Sequence, residues 1–231
     1  MSNILGIGDM HEPCTRKYYL QFCKDTYHIH NCDTVVFLGD LNDFHAISFH
    51  AAHPEMPGPK DEFELAFTAI QRWYKAFPNA KVCIGNHDER VIRLAESVNI
   101  PKKFLRDFND IWETPGWNWD YHHIIDHVYY FHGINQTGMH PAWNAMKTML
   151  MSCVIGHNHS AGGFKWLVNP EARYFGMDVG CGIDDKKMAF AYGKHTKKRS
   201  VISCGVVLDG IPQHIIMPIS EGEQYYDATN V

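Results

Sequence analysis

Short apolar runs that stop abruptly at a polar cluster recur along the first two-thirds of the chain. "NILGIG" stops at Asp9, "DTVVFLGD" ends at Gly39-Asp40, "AKVCIGNHD" leaves its apolar part at Gly85, "HVYYFHG" ends at Gly133, and "CVIGHNH" runs into His157. Rich in β-branched and aromatic residues and without strict alternation, these runs predict strands buried on both faces. Between them the period lengthens. Residues 13–31 predict a helix opened by Pro13, since proline suits the first helical position. Asp61 starts a second helix, with Asp61 and Glu64 spaced as a capping box and Phe63, Phe67, Ile70, Tyr74 and Phe77 on one face. Further helices are predicted from about Glu89, over Pro101 to Trp112 and over residues 141–151. "FHAISFHAAHPEMPGPK" has no clean period and reads as a loop or broken helix.

From Phe164 onward the pattern changes to short strands, including "RSVISCGVVLDGIPQHIIMPIS", where Asp209-Gly210 has the sequence of a tight hairpin turn. Strand–helix alternation followed by strands predicts an α/β sandwich built on two sheets. No repeat, low-complexity tract or linker interrupts it. A single domain over residues 1–220 is expected, with a disordered tail at 221–231.

Composition narrows this little. The 231 residues suit one sizeable core, and 45% hydrophobic with 20% charged residues is ordinary for a globular protein. A net charge of −5 excludes whole-molecule attraction to nucleic acid or an acidic membrane. A local exception is the basic run Lys194 to Arg199, with Lys186 and Lys187 nearby, which reads as a solvated loop or as a nucleic-acid contact. No leader pattern and no long apolar span is seen, so a cytoplasmic protein without a membrane partner is expected. Seven cysteines, odd in number and without a CxxC pair, read as reduced core residues.

The 16 histidines change the picture, because imidazole is the commonest protein metal ligand. The first strand delivers Asp9 and His11 at its carboxyl end, the second Asp40 and Asp43, and the third Asn86, His87 and Asp88. The fourth delivers His132 and the fifth His157 and His159. That edge of an α/β sheet is where ligands bind. Mixed oxygen and imidazole donors suit Mn, Fe, Zn or Co, and two such ions about 3.5–4 Å apart clamp both oxygens of an in-line displacement at phosphorus. Taken singly, Asp9 reads as a cap and Asn86 as a turn residue. His132 is preferred over His122, His123, His127 and His140 because it alone ends an apolar strand. Asp88 and Glu89 read as acids favouring a helix N-terminus. His45, His50 and His53 read as a solvated loop, and Trp112, Trp117 and Trp119 as packing rather than base-stacking groups.

Together "GDMH", "GDLND", "GNHDE", "FHG" and "GHNH", between residues 8 and 159, resemble the motifs of the calcineurin-like metallophosphoesterases, with the look of compact bacterial or phage-type members. The resemblance implies a four-layer αββα sandwich and a centre of two divalent transition-metal ions, manganese first, with Fe, Zn, Co or Ni as alternatives. It implies that Asp9, His11, Asp40 and His159 hold one ion. Asp40 bridges to a second, completed by Asn86, His132 and His157. A hydroxide between the ions is then the nucleophile, His87 the general acid or charge stabiliser, and Asp43 the residue that holds His87. The implied reaction is hydrolysis of phosphomonoesters or phosphodiesters, with a nucleotide or nucleic-acid end among the partners. The phosphoprotein phosphatases of the superfamily carry an arginine after G-D-x-x-D, where this chain has Phe44. A protein phosphatase is therefore the disfavoured enzyme reading. A non-catalytic binding scaffold is the other alternative, disfavoured because every motif position is filled.

Overall fold

A computed structural model of the chain describes residues 1–49, 56–184 and 199–218. The first sheet is built from β1 (Asn3–Ile7), β2 (Thr34–Phe37), β3 (Ala80–Cys83), β4 (Trp117–Asp120), β10 (Ser203–Leu208) and β11 (Ile211–Ile216), in the order β11-β10-β1-β2-β3-β4. The second is built from β5 (His122–Ile125), β6 (Val128–Phe131), β7 (Ser152–Ile155), β8 (Gly163–Val168) and β9 (Arg173–Asp178), in the order β5-β6-β7-β9-β8. β1 to β4 run parallel, as do β6, β7 and β9, while the other pairings are antiparallel.

Alternation along the strands sorts the core into layers. Leu5, Val35, Phe37 and Val82 face outward from the first sheet, onto α1 (Tyr19–Ile29), α2 (Pro59–Ala76) and α4 (Phe108–Trp112). Ile4, Val36, Leu38 and Cys83 face inward and meet Tyr130, Val154, Phe175 and Met177 of the second sheet. The far side of that sheet is covered by α5 (Pro141–Met149), through Ala145 and Met146 on Cys153. The architecture is thus helices, sheet, sheet, helix, as expected. Strands buried on both faces explain why β1, β2 and β7 lack alternation in sequence. Each large side chain sealed there, such as Phe37 or Trp73, contributes roughly 1.5–3 kcal/mol of burial.

Several boundaries differ from the sequence reading. The first helix begins at Tyr19, not at residue 13. Pro13 follows a cis peptide bond in a turn, and the segment to Tyr18 instead binds the loop after β9, with Arg16 N–H on Gly182 O. α2 begins at Pro59, with Gly58 as its cap and no side-chain cap. Glu64 pairs with Lys60 rather than closing a capping box, and the buried residues of the helix are Glu62, Ala66, Ala69, Ile70 and Trp73. Residues 101–112 form a 3₁₀ turn (Lys102–Phe104) and the short α4, not one helix. α3 (Arg90–Ser97) and α5 fall where expected. β4 and β5 were not foreseen. The Asp209-Gly210 turn has positive φ at both residues, 48° and 77°, the geometry a two-residue hairpin needs. Trp112 and Trp117 pack in the outer core, with Trp119 against them. His45 is buried, not solvated. His50, His53, Lys186, Lys187, Lys194 to Lys198 and the tail 221–231 lie outside the described residues.

Candidate metal centre

Loops at the carboxyl ends of β1, β2, β3, β6 and β7 meet at one edge of the sandwich, so both sheets contribute to a single cluster. Hydrogen bonds stitch the sheets together there: His157 N–H donates to Asp9 Oδ2 at 2.8 Å, and His132 Nδ1 lies 2.7 Å from Leu38 O. The motif glycines are explained by close approach. A Cβ on Gly156 would stand 2.4 Å from Asp9 Oδ2, and one on Gly85 would stand 2.2 Å from Asp40 Oδ1. No side chain fits between these carboxylates and the neighbouring strand. His11, Asp40, Phe44 and His157 all have positive φ, at 48°, 51°, 47° and 67°. Such conformations cost of order 1 kcal/mol or more each and persist where surrounding contacts over-determine them.

Three overlapping groups could hold a metal ion: Asp9, His11 and His159; Asp40, His132 and His157; and His11, Asp40 and His87. In the first, Asp9 Oδ1 lies 4.0 Å from His11 Nε2 and 3.5 Å from His159 Nε2. In the second, His132 Nε2 lies 3.2 Å from Asp40 Oδ2, 3.1 Å from His157 Nδ1 and 3.0 Å from Asn86 Oδ1. Asp40 belongs to two of the three groups, and its Oδ2 is also 3.5 Å from His11 Nε2. All seven residues expected as ligands, and both expected as catalytic, are therefore brought together. Asp9, His11, Asp40, Asp43, His87 and His132 are buried, while His159 keeps 23% of its side chain exposed at the mouth.

The chemistry of this donor set fits divalent cations. Asp9 Oδ1 is buried with no hydrogen bond, turned toward three imidazoles. Buried carboxylates without compensating charge are costly, and Asp9, Asp40 and Asp43 are all fully or nearly fully enclosed. Burial raises each of them, yet the surrounding histidines outweigh it and hold all three below the ordinary carboxylate range. His132 answers in kind: burial pulls it down, but Asp40 and Asp9 push it up to about 10. His11 goes the other way, to about 4, because burial and the His87 ring beside it oppose a charge.

Outer contacts fix the orientations. Asp43 Oδ1 sits 2.9 Å from His11 Nδ1 and 3.1 Å from His87 Nδ1, turning the Nε2 atoms of both rings inward. Asp88 was read as a helix-start acid, and the structure corrects this. Its carboxylate accepts the N–H groups of Asp40 at 2.8 Å, Gly85 at 2.9 Å and Leu41 at 3.1 Å. It therefore fixes the left-handed turn that presents Asp40. Burial and the nearby Asp40 charge raise Asp88 to about 7. Glu62, buried on α2, likewise holds the His45 and Ala46 N–H groups just after Asp43, at 2.7 and 2.9 Å. Arg90 is buried beside His87. Nothing in the linear pattern points to these three residues, because their partners lie in other loops. Phe44 is 9% exposed and stacks on Trp112 in the outer core, at 5.8 Å between ring centroids.

Vps29 of Chaetomium thermophilum is 12% identical, covering 97% of this chain and 94% of its own, with a TM-score of 0.49. Vps29 of Cryptosporidium parvum is 11% identical, covering 92% and 94%, with a TM-score of 0.46. YfcE, a phosphoesterase from E. coli, is 11% identical, covering 97% of each chain, with a TM-score of 0.41. Among curated proteins none matches. The sequence model of the calcineurin-like phosphoesterases matches residues 2–181, well over half of the chain, and the chain belongs to that family.

Proposed function

We propose that the protein is a dinuclear metal-dependent phosphoesterase acting on phosphomonoesters and phosphodiesters, with nucleotides or nucleic-acid ends among its substrates. The observation that carries this reading is the set of Asp–His groups converging at one sheet edge, with Asp40 Oδ2 lying between His11 Nε2 of one and His132 Nε2 of the other. Asp9, His11, Asp40 and His159 would hold one ion, and Asp40, Asn86, His132 and His157 the other, with manganese the best activator. When bound, the two ions supply Lewis-acid neutralisation of phosphoryl charge and a water deprotonated at neutral pH.

The chain's own residues do the rest. Asp43 holds the His11 and His87 rings with Nε2 inward. His87 stands beside the leaving oxygen, where it stabilises charge or supplies a proton. Burial excludes bulk water from Asp40 and His132, which strengthens every charge interaction made with a phosphoryl group. Phe44 is spent on packing, so no guanidinium is offered from that position and phosphopeptides are poor substrates. Seven free buried thiols support a reducing, cytoplasmic compartment. No helix among the described residues is long and apolar enough to cross a membrane.

The test is a panel of aryl monoesters, aryl diesters, nucleotides and phosphopeptides assayed with Mn²⁺. The reading expects turnover of aryl esters and little of phosphopeptides. Preference for phosphopeptides over every other ester would overturn the substrate class, and no turnover of any ester by metal-loaded protein would overturn the activity.

A further inference from the structure

Helix α2 supplies none of the candidate ligands, yet it grips the loop that carries Asp43 on both sides. On the near side, the Asp43 N–H donates to Glu12 O at 3.0 Å. Glu12 is itself held by Trp73 of α2, whose Nε1–H donates to Glu12 Oε1 at 2.8 Å. On the far side, Glu62 of α2 takes the first two N–H groups of a 3₁₀ turn (His45–Ile47), one on each carboxylate oxygen, at 2.7 and 2.9 Å. Glu12 and Glu62 are both buried.

Between Asp43 and that turn stands Phe44, with φ 47° and ψ 42°. A bulky residue rarely adopts this left-handed conformation and keeps it only where its surroundings over-determine it. A right-handed Phe44 would turn Asp43 away from its present direction relative to residues 45–47. The Glu62 clasp pins the turn after Phe44, and the stack on Trp112 pins the Phe44 ring. Asp43 Oδ1 is thereby kept where it meets His11 Nδ1 at 2.9 Å and His87 Nδ1 at 3.1 Å. Two N–H groups side by side need two acceptors, which a carboxylate offers. A carboxamide of the same shape has one oxygen, and its NH₂ would face the second amide.

We propose that Glu62 is a positioning residue that holds the left-handed turn at Phe44 and so sets the Asp43 carboxylate between the His11 and His87 rings. The inference deepens the proposed function and rests on it for the effect on turnover. The effects on metal affinity and on the two amides stand apart from any turnover.

The test is a double-mutant cycle of Glu62→Gln and Asp43→Asn in the full chain. It is read by the Mn²⁺ affinity of metal-stripped protein, by steady-state kinetics on an aryl phosphoester, and by amide hydrogen exchange. Glu62→Gln should weaken the ion on the His11 side and lower kcat, each about tenfold, the lower end of what an orienting partner is worth. KM should not move. In the Asp43→Asn background, Glu62→Gln should add little to either loss, because residues that act through one another are not additive. The His45 and Ala46 amides should exchange slowly in the wild type and fast in Glu62→Gln. Glu62→Asp keeps the charge but shortens the reach, and it carries the same cycle if Glu62→Gln does not fold. Losses that add in the double variant would overturn the proposal. So would a lowered melting temperature with wild-type affinity and kcat, which makes Glu62 a structural strut, or fast exchange of both amides in the wild type. If the wild type hydrolyses no phosphoester, the proposed function fails, and the Mn²⁺ affinities and amide exchange still decide the role of Glu62.

Discussion

The Asp9–His11–His159 group and the Asp40–His132–His157 group use the same kinds of donor but sit in opposite electrostatic settings. His11 is crowded by other imidazoles, with ring centroids 4.3 Å from His87 and 5.0 Å from His159, and falls to about 4. His132 lies between two carboxylates, 3.2 Å from Asp40 and 3.9 Å from Asp9, and rises to about 10. The backing differs too. His11 Nδ1 leans on the Asp43 side chain, and His132 Nδ1 on the Leu38 backbone carbonyl. In one half His11 is therefore uncharged beside the Asp9 carboxylate. In the other half the Asp40 and Asp9 carboxylates favour the charged form of His132, which a cation would have to displace. The same residue types make two different sites because neighbours, not ligand identity, set the charge.

Asp40 is where the two halves join, so its replacement should have the largest effect. Asp40→Asn removes the charge that lies 3.5 Å from His11 Nε2 and 3.2 Å from His132 Nε2 and should lower turnover by on the order of 10³-fold or more, since metal ions supply several kcal/mol of transition-state stabilisation. Asn86→Ala, which touches one group, should cost less. Steady-state kinetics with metal analysis on both variants checks this, and an Asp40→Asn protein with normal turnover and both ions would break the link between the halves.

The pH dependence of metal binding separates the halves next. A ligand must be deprotonated to bind. His11 is already neutral above about 4, so it adds no pH dependence to its group near neutrality. His132 holds its proton up to about 10. Below that pH, its group should lose affinity by up to about tenfold per unit as pH falls. Calorimetric Mn²⁺ titrations from mildly acidic to alkaline pH should show the site on the His132 side weakening toward acid more steeply than the site on the His11 side, with proton release. Two classes with equal pH slopes would contradict the contrast.

The backing contacts give the smallest effect. Asp43→Asn should weaken the ion on the His11 side by roughly 10–100-fold, the usual worth of an orienting partner. The His132 side should be spared because its partner is a main-chain carbonyl. Equal weakening of both sites would show that Asp43 acts on the whole centre.

The ligand-type residues were legible in the sequence because each follows an apolar strand, and a strand fixes where its next few residues go. The layers were legible because unalternating runs imply burial on both faces. The misses share one cause, which is dependence on partners distant in sequence. Asp88 looks like a helix-start acid until the Asp40 and Leu41 amides are seen against it. Arg90 looks like a helix residue until Asp43 O is found on its guanidinium. Pro13 sits in a helix-like period, but contacts to the Gly182 loop hold its segment in turns. β4 and β5 carry short, partly exposed patterns, and pairing to β3 and β6 defines them more than their own residues do.

We propose that two ions held around Asp40 make this chain a phosphoesterase. It is tested most directly by titrating metal-stripped protein with Mn²⁺ while following hydrolysis of a chromogenic phosphoester. No turnover is expected without metal, and activity should rise and saturate at about two ions per chain, the stoichiometry a two-metal displacement requires. Turnover that survives stripping, or two bound ions with no hydrolysis of any monoester or diester, would contradict it.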